Sequence, residues 1–160
     1  MKLEIEKLIN QLGLIPHPEG GFYKETYRSI ETCIDETRNL KTAIYFLLRS
    51  EDVSHFHRIK SDEIWYFHAG SPLVVHSIDT NGNYFEQKVG INLLEGELPQ
   101  YLVPKNTIFG SSVLEKNSFS LVSCSVSPGF DFEDFELFKR DELIEKYPRY
   151  KDIITRLTLK

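Results

Sequence analysis

The sequence contains little of what would place this chain in several large classes of protein. Its 160 residues include only two cysteines, which excludes a disulfide scaffold. The chain also lacks a cluster of Lys and Arg, which are scattered along it, and the net charge of -5 argues against a nucleic-acid partner. The longest apolar run, AIYFLL, is too short to span a bilayer, and the N-terminal MKLEIEKLINQLGL is charged rather than signal-like. We therefore expect a cytoplasmic protein that binds neither nucleic acid nor membrane.

What the chain does contain is a long series of strand patterns between two helical ends. Apolar residues at helical spacing predict a short N-terminal helix, which Gly13 is placed to end. From Gly20 to about Val126, β-branched and aromatic residues alternate with turn signals such as EGG, AGSP and DTNGN. Helical patterns return in RDELIEKYP and YKDIITRLTL, separated by Pro148. Residues 1–160 are expected to form a single all-β domain, a barrel or sandwich with short terminal helices.

The segment SHFHRIKSDEIWYFHAG concentrates titratable side chains in predicted strands. His55 and His57 are two residues apart and so project from one face, and Glu63 begins the next strand in step with Trp65. Two imidazoles and a carboxylate suit a divalent metal such as Fe, Mn, Ni or Zn, and could equally serve as acid, base and orienting partner. The plainer alternative is a set of ordinary polar residues at a strand end. By the same alternation His68 faces away from Glu63.

Two further segments carry candidate site residues. In PHPEGGFYKETYRS, the prolines and the glycine pair predict a loop that holds His17 and Glu19 in fixed directions. Alternation in the following strand puts one set of side chains on one face and a second set on the other: Tyr23, Glu25 and Tyr27 against Lys24, Thr26 and Arg28. An inward Arg28 would favour an anionic ligand, and a wet edge strand is the alternative.

The late segment SPGFDFEDFELF alternates carboxylates with phenylalanines. Alternation gives Asp131 and Glu133 one face of a strand and Asp134 the other. We expect an edge strand covered by the C-terminal helix. His76, among valines and an isoleucine, is expected to be a buried strand histidine with its hydrogen bonds satisfied.

HFHRIKSDEIWYFHAG has the form H-x-H-x5-E-x6-G and resembles the first motif of the cupin superfamily. The resemblance implies a cupin double-stranded β-helix, a jelly-roll barrel, with His55, His57 and Glu63 as metal ligands inside it. The second motif corresponds to GELPQYLVPKNTIFG, where Phe109 stands in place of the fourth ligand, a histidine. The implied metal, one of Fe, Mn, Ni or Zn, is therefore expected to bind weakly.

More of the chain resembles an uncharacterised cupin-like family whose fold is similar to that of dTDP-sugar epimerases. The segments that carry this resemblance are LIPHPEGGFYKETYRS, TAIYFLL, GELPQYLVP and VSCSVSPGFDFEDFEL. In the epimerases a histidine near the first motif works with a late aspartate, which implies Asp131 or Asp134 here. Those enzymes carry a catalytic lysine where this chain has Glu63.

Three functions stay open at this point. The first is an isomerase or epimerase acting on a small polar or anionic, sugar-like molecule, and the second is a metal-dependent oxygenase or decarboxylase. The third is a non-catalytic module that binds a small ligand. The candidate catalytic residues are His57, His55, Tyr23 and Asp131. The candidate ligand contacts are Arg28, Glu25, Trp65, Gln100 and Phe109.

The segment from Ala43 to Leu48 is apolar on both strand faces. One face can pack into the barrel, and the other needs a helix or a second subunit to cover it. With the tyrosines of FYKETYRS as a sticky edge, this pattern predicts a C2 homodimer.

Overall fold

The computed structural model describes residues 2–159, which form strands in the middle and helices at the two ends. The strands are β1 (Ile15–Pro16), β2 (Phe22–Arg28), β3 (Thr42–Arg49), β4 (Val53–Arg58), β5 (Asp62–Gly70), β6 (Leu73–Ile78), β7 (Tyr84–Val89), β8 (Gln100–Val103), β9 (Ile108–Val113), β10 (Phe119–Ser127) and β11 (Glu136–Leu137). The helices are α1 (Lys2–Leu12), α2 (Arg140–Lys146) and α3 (Lys151–Arg156). Short 3-10 turns cover Leu93–Glu95, Phe132–Asp134 and Pro148–Tyr150.

Two antiparallel sheets form the barrel. The first has the strand order β1-β2-β3-β10-β5-β8, and the second has the order β11-β4-β9-β6-β7. Their inner faces share one core, in which Phe46 and Trp65 of the first sheet cluster with Leu73 and Phe109 of the second. The all-β barrel with short terminal helices expected from the sequence is therefore confirmed.

The terminal helices cover the outer faces of the two sheets. Gly13, at φ +64°, ends α1 in the left-handed conformation that favours glycine. Helix α1 packs Ile5 against Leu47 of β3 on the first sheet. Helices α2 and α3 pack Leu143 and Ile154 on the second sheet. No helix between residues 2 and 159 has both the length and the apolar character needed to cross a membrane.

Helix α1 bears on the predicted homodimer. Leu47 is fully buried in the cluster that contains Ile5, so the same chain supplies part of the cover that the apolar outer face of β3 needs. Tyr27, at the far end of the neighbouring strand, stays 52% exposed. The C2 homodimer stays a prediction, and the molar mass from light scattering at micromolar concentration tests it.

The segment before α2 differs from the expected edge strand. Asp131 adopts an extended conformation, and its Oδ1 accepts a hydrogen bond from the Glu133 N–H at 2.8 Å, which caps the 3-10 turn Phe132–Asp134. A side chain that satisfies a free backbone N–H at a turn start competes with strand pairing. Only the two residues of β11 pair as a strand, against β4.

Candidate active site

A cavity of about 400 Å³ lies where β3 and β5 begin and β10 ends. Six of the candidate catalytic, ligand-contact and metal residues line it, namely Tyr23, Glu25, Arg28, His57, Glu63 and Asp131. The cavity therefore collects residues from the early loop and strand, the H-x-H segment and the late segment in one place.

The loop between β1 and β2 carries Glu19 into the barrel. Gly20 has φ +108°, and a Cβ at this position would overlap the carbonyl oxygen of Val53 in β4. The His55 N–H donates to the Glu19 carbonyl at 2.6 Å and holds the loop against β4. Because only glycine allows so close an approach, EGG places Glu19 inside, where it is 6% exposed.

Glu19 forms a buried ion pair with His57. The Oε2 atom of Glu19 lies 2.8 Å from Nε2 of His57, and Nδ1 of His57 donates to the His55 carbonyl at 2.7 Å. Burial works to lower the pKa of His57, but the Glu19 charge and hydrogen bond outweigh it and raise that pKa. Burial likewise works to raise the pKa of Glu19, but His57 lowers it overall. Both shifts favour the charged forms of the pair.

Glu63 is the second buried carboxyl of the cavity. Its burial, followed by the nearby Glu19 charge, raises the pKa of Glu63 to about 8, which His57 and a hydrogen bond with Cys124 offset in part. Burial also raises the pKa of the Cys124 thiol well above its ordinary value. Glu63 is therefore mostly protonated at neutral pH, whereas Glu19 in the same cavity is ionised.

His17 is a neutral hydrogen-bond donor in the cavity wall. Its Nδ1 accepts the Glu19 backbone N–H at 3.1 Å, which assigns the ring proton to Nε2. Burial lowers the pKa of His17, with Glu19 opposing that shift in part. The ring packs edge-on against Tyr23, with 4.5 Å between the ring centroids. The sequence predicted that the loop holds His17 and Glu19 rigidly, but it did not predict that both side chains lie in the cavity.

Arg28 lines the cavity from the same face as Glu25, contrary to simple alternation. The register between β2 and β3 shifts between Glu25 and Tyr27, so that Glu25 pairs with Ile44 and Arg28 with Thr42, two residues apart on β3. This β-bulge reverses the parity expected for Arg28. Arg28 Nε and Nη2 donate to the two Glu25 oxygens at 2.9 Å each. Arg28 thus faces the cavity with its fork already occupied.

The structure places four candidate site residues outside the cavity lining. His55 turns its Nδ1 to the Glu19 carbonyl oxygen at 2.6 Å, and the register of β4 against β9 shifts between Ser54 and His57. Trp65 and Phe109 are each 1% exposed in the barrel core, and the Phe109 ring lies 4.2 Å from the His57 ring. Gln100 is exposed on β8. Trp65 lies on the expected face of β5, but it is buried in the barrel core and does not line the cavity.

The epimerase resemblance implied that a late aspartate works with a histidine near the first motif, but neither late aspartate is the partner of His57. Asp134 pairs with Arg38, whose Nε lies 2.8 Å from Oδ2. Asp131 lines the cavity, but its side chain caps the 3-10 turn. The carboxylate partner of His57 is Glu19 instead, from the opposite end of the chain.

The metal set implied by the sequence does not assemble. Both ring nitrogens of His57 are engaged by protein groups, and His55 points to the loop backbone. A ligating imidazole needs one nitrogen free for the metal. Within residues 2–159, no group of three or more His, Cys, Asp or Glu side chains has a geometry that could hold a metal ion. The donor set therefore does not fit Fe, Mn, Ni or Zn.

The family model described as "Cupin superfamily (DUF985)" matches residues 6–138. The chain belongs to this family. It is 35% identical over 157 residues to "Uncharacterized protein YML079W" of Saccharomyces cerevisiae, in an alignment that covers 87% of this chain and 78% of the yeast protein. The cupin assignment from the first motif is confirmed.

Solved structures agree on the fold of this cupin. Protein SO0799 from Shewanella oneidensis is 49% identical, with a TM-score of 0.91 and coverage of 96% of each chain. A Bacillus subtilis oxalate decarboxylase variant is 16% identical, with a TM-score of 0.57 over 89% of this chain and 36% of that chain. A likeness at that level of identity concerns the barrel fold alone.

Proposed function

We propose that this cupin is an isomerase- or epimerase-type enzyme that moves a proton on the carbon beside a carbonyl group of a small polar molecule. The observation that carries the proposal is the pair of buried carboxyls, Glu19 and Glu63, whose pKa values are shifted in opposite directions. Two titratable groups driven apart by their surroundings are the usual arrangement of a catalytic acid and base. The epimerase part of the proposal draws on the sequence resemblance.

In this mechanism Glu63 is the proton carrier. With a pKa of about 8, Glu63 is ionised in a useful fraction of molecules near neutral pH, and its carboxylate is a stronger base than that of an ordinary glutamate. It takes the proton from the carbon as the C–H bond breaks, and the electron pair moves to the carbonyl oxygen. Return of the proton to the former carbonyl carbon completes an isomerisation, as the hydroxyl proton on the carbon that lost its hydrogen moves to the former carbonyl oxygen and a new carbonyl group forms there.

The developing negative charge on oxygen needs neutral donors. His17 carries its proton on Nε2 and lines the cavity beside Tyr23. Donors positioned before the reaction stabilise an enediolate oxygen without reorganisation. In an epimerisation, the Tyr23 hydroxyl delivers the proton from the other side of the carbon. Glu19 and His57 act as positioning residues that set the charge around Glu63.

The test is solvent deuterium incorporation. Wild-type protein in D₂O is incubated with a panel of small aldoses and ketoses, and loss of the proton next to the carbonyl is followed by ¹H NMR. We expect exchange in the wild type, with a rate that rises through an apparent pKa near 8. Glu63→Gln should reduce the rate by on the order of 100-fold or more, since it removes the general base.

Glu97→Gln is the matched control for that experiment. Glu97 is also a buried glutamate, 7% exposed, but its Oε2 accepts the Asn92 N–H at 2.8 Å outside the cavity. The control should exchange at the wild-type rate. Exchange that survives in Glu63→Gln contradicts the role of Glu63 as the base. No exchange with any member of the panel contradicts the proposal and favours the non-catalytic binding module.

A further inference from the structure

The arginine of the cavity is not free to bind an anion. Glu25 occupies the Arg28 fork with two hydrogen bonds of 2.9 Å. Arg28 Nη1 also donates to Asn39 Oδ1 at 2.8 Å, and Nη2 donates to the Phe130 carbonyl at 2.9 Å. Arginines recognise carboxylate and phosphate through this same two-pronged contact. A ligand anion would have to displace Glu25 before it could bind.

The inner cation of the cavity is equally engaged. Nε2 of His57 contacts the Glu19 carboxylate, and Nδ1 of His57 donates to the His55 carbonyl. Among the described residues that line the cavity, Lys24 is the remaining cation, and like Arg28 and Glu25 it is exposed to solvent rather than buried with Glu19. Entry of an anion would therefore bring negative charge beside Glu19 and Asp131 without a free cation inside to compensate it.

The polar groups that remain suit oxygen atoms without charge. The Nε2–H of His17 points away from the Nδ1 hydrogen bond, and the Tyr23 hydroxyl can donate or accept. Phe130 and Phe132 add apolar wall around these groups. Neutral donors set among aromatic walls match the hydroxyl and carbonyl oxygens and the C–H faces of a small sugar-like molecule.

We propose that the cavity selects an uncharged hydroxycarbonyl molecule, of the class of free aldoses and ketoses, and that Glu25 determines this specificity by occupying the Arg28 fork. The inference rests on the proposed function for the carbonyl group of the ligand. It separates two ligand classes, neutral and anionic, that the sequence left open. Glu25 is a specificity-determining residue in this account because it makes Arg28 unavailable to phosphate or carboxylate groups.

The experiment measures binding rather than turnover. ¹⁵N-labelled protein is titrated with matched pairs of probes, each pair being a free four- to six-carbon sugar and its phosphate ester, and Kd is read from amide shifts around the cavity. For the wild type, at least one free sugar should bind, and each phosphate ester should bind about 10-fold or more weakly than its parent. Tighter binding of the esters, or no binding of any free sugar, would overturn the inference.

The variant Glu25→Ala releases the fork. It should strengthen binding of the phosphate esters by about 10-fold or more while leaving the free sugars within about 3-fold. The double variant Glu25→Ala with Arg28→Met should lose that gain. Glu136→Ala is the matched control, because Glu136 occupies the Arg58 fork at 2.6 and 3.0 Å outside the cavity, and it should change neither class of ligand.

The two proposals can fail separately. If a free sugar binds and the wild type incorporates no deuterium, the ligand class stands and the proton-transfer function fails. If deuterium exchange is lost in Glu63→Gln but Glu25→Ala gains no binding of phosphate esters, the function stands and the role of Glu25 is wrong.

Discussion

Two buried histidines of this barrel, His57 and His76, each contact a glutamate, yet their pKa values are shifted in opposite directions. Nε2 of His57 lies 2.8 Å from Glu19, and Nδ1 of His76 lies 3.2 Å from Glu86. The imidazoles are almost equally hidden, at 4% and 3% side-chain exposure. The pKa of His57 is raised, whereas burial lowers the pKa of His76 despite the opposing charge of Glu86.

Two features account for the difference: the exposure of the carboxylate, and the charge of Arg156, which also lowers the pKa of His76. Glu19 has 8% of its side chain exposed and Glu86 has 53%, so water screens the second charge but not the first. A histidine beside a screened charge keeps its desolvation penalty and stays neutral. The charge state of a buried histidine therefore depends on how deeply its partner is buried, even when the two contact distances are similar.

The surroundings of the two histidines also differ. His76 is held by Tyr84 on Nδ1 at 2.8 Å and by Ser112 on Nε2 at 2.9 Å. The Tyr84 ring packs against Tyr150 of the C-terminal region, which covers this face of the second sheet. His57 lines a cavity instead. Among these two clusters, only the one around His57 combines shifted pKa values with space for a ligand.

The largest expected difference between the two regions is in stability. Glu19→Gln leaves the buried His57 charge without its partner and should reduce the free energy of unfolding by about 3–5 kcal/mol. Glu86→Gln removes a half-exposed charge and should cost about 1 kcal/mol or less. Urea denaturation near neutral pH measures both values. Equal losses for the two variants would mean that partner burial does not distinguish the pairs.

Glu63, in the cavity beside His57, should make the free energy of unfolding depend on pH. Its folded pKa of about 8 lies above the ordinary value of 4.5, so the folded protein holds the extra proton between these two pH values. The free energy of unfolding contributed by Glu63 therefore falls as pH rises through this window, by on the order of a few kcal/mol. Glu63→Gln should be more stable than the wild type near pH 8 and should show a shallower pH dependence. Parallel pH profiles for the two proteins would contradict this account.

The smallest expected effects come from replacing the histidines themselves. His57→Asn should reduce deuterium exchange by about 10- to 100-fold in the folded fraction and move the pH midpoint of the rate, because His57 helps to set the charge around Glu63. His76→Asn should cost about 1–2 kcal/mol of stability through lost hydrogen bonds and leave both the rate and its midpoint unchanged. A shifted midpoint in His76→Asn would show that the second cluster is coupled to the cavity.

The sequence predicted the fold more completely than it predicted the site. Period-two patterns and turn signals identify strands, and the H-x-H-x5-E spacing placed His57 and Glu63 at the cavity. The partner of His57 was not predictable in this way, because Glu19 reaches it through a glycine-dependent contact between a loop and β4. No spacing rule reports such a contact.

Strand alternation did not locate two side chains correctly, for a different physical reason in each case. At Arg28 a bulge changed the parity, so the side chain faces the cavity together with Glu25. At Trp65 the parity held, but alternation says nothing about depth, and the indole packs in the core beyond the cavity. The late 3-10 turn, where an edge strand was expected, could have been recognised from the sequence. Asp131 stands two residues before the backbone N–H that it caps, which is the spacing typical of such a turn.

The most direct test of the central claim is the ionisation of Glu63 itself. The protein is labelled with ¹³C at the glutamate side-chain carboxyl carbons, the Glu63 resonance is assigned by its disappearance in Glu63→Gln, and its shift is followed with pH by NMR. The account predicts a midpoint near 8 for Glu63, far above the ordinary 4.5. A Glu63 midpoint near 4.5 would contradict it, because both buried carboxyls of the cavity, Glu19 and Glu63, would then be ionised and neither could carry a proton at neutral pH.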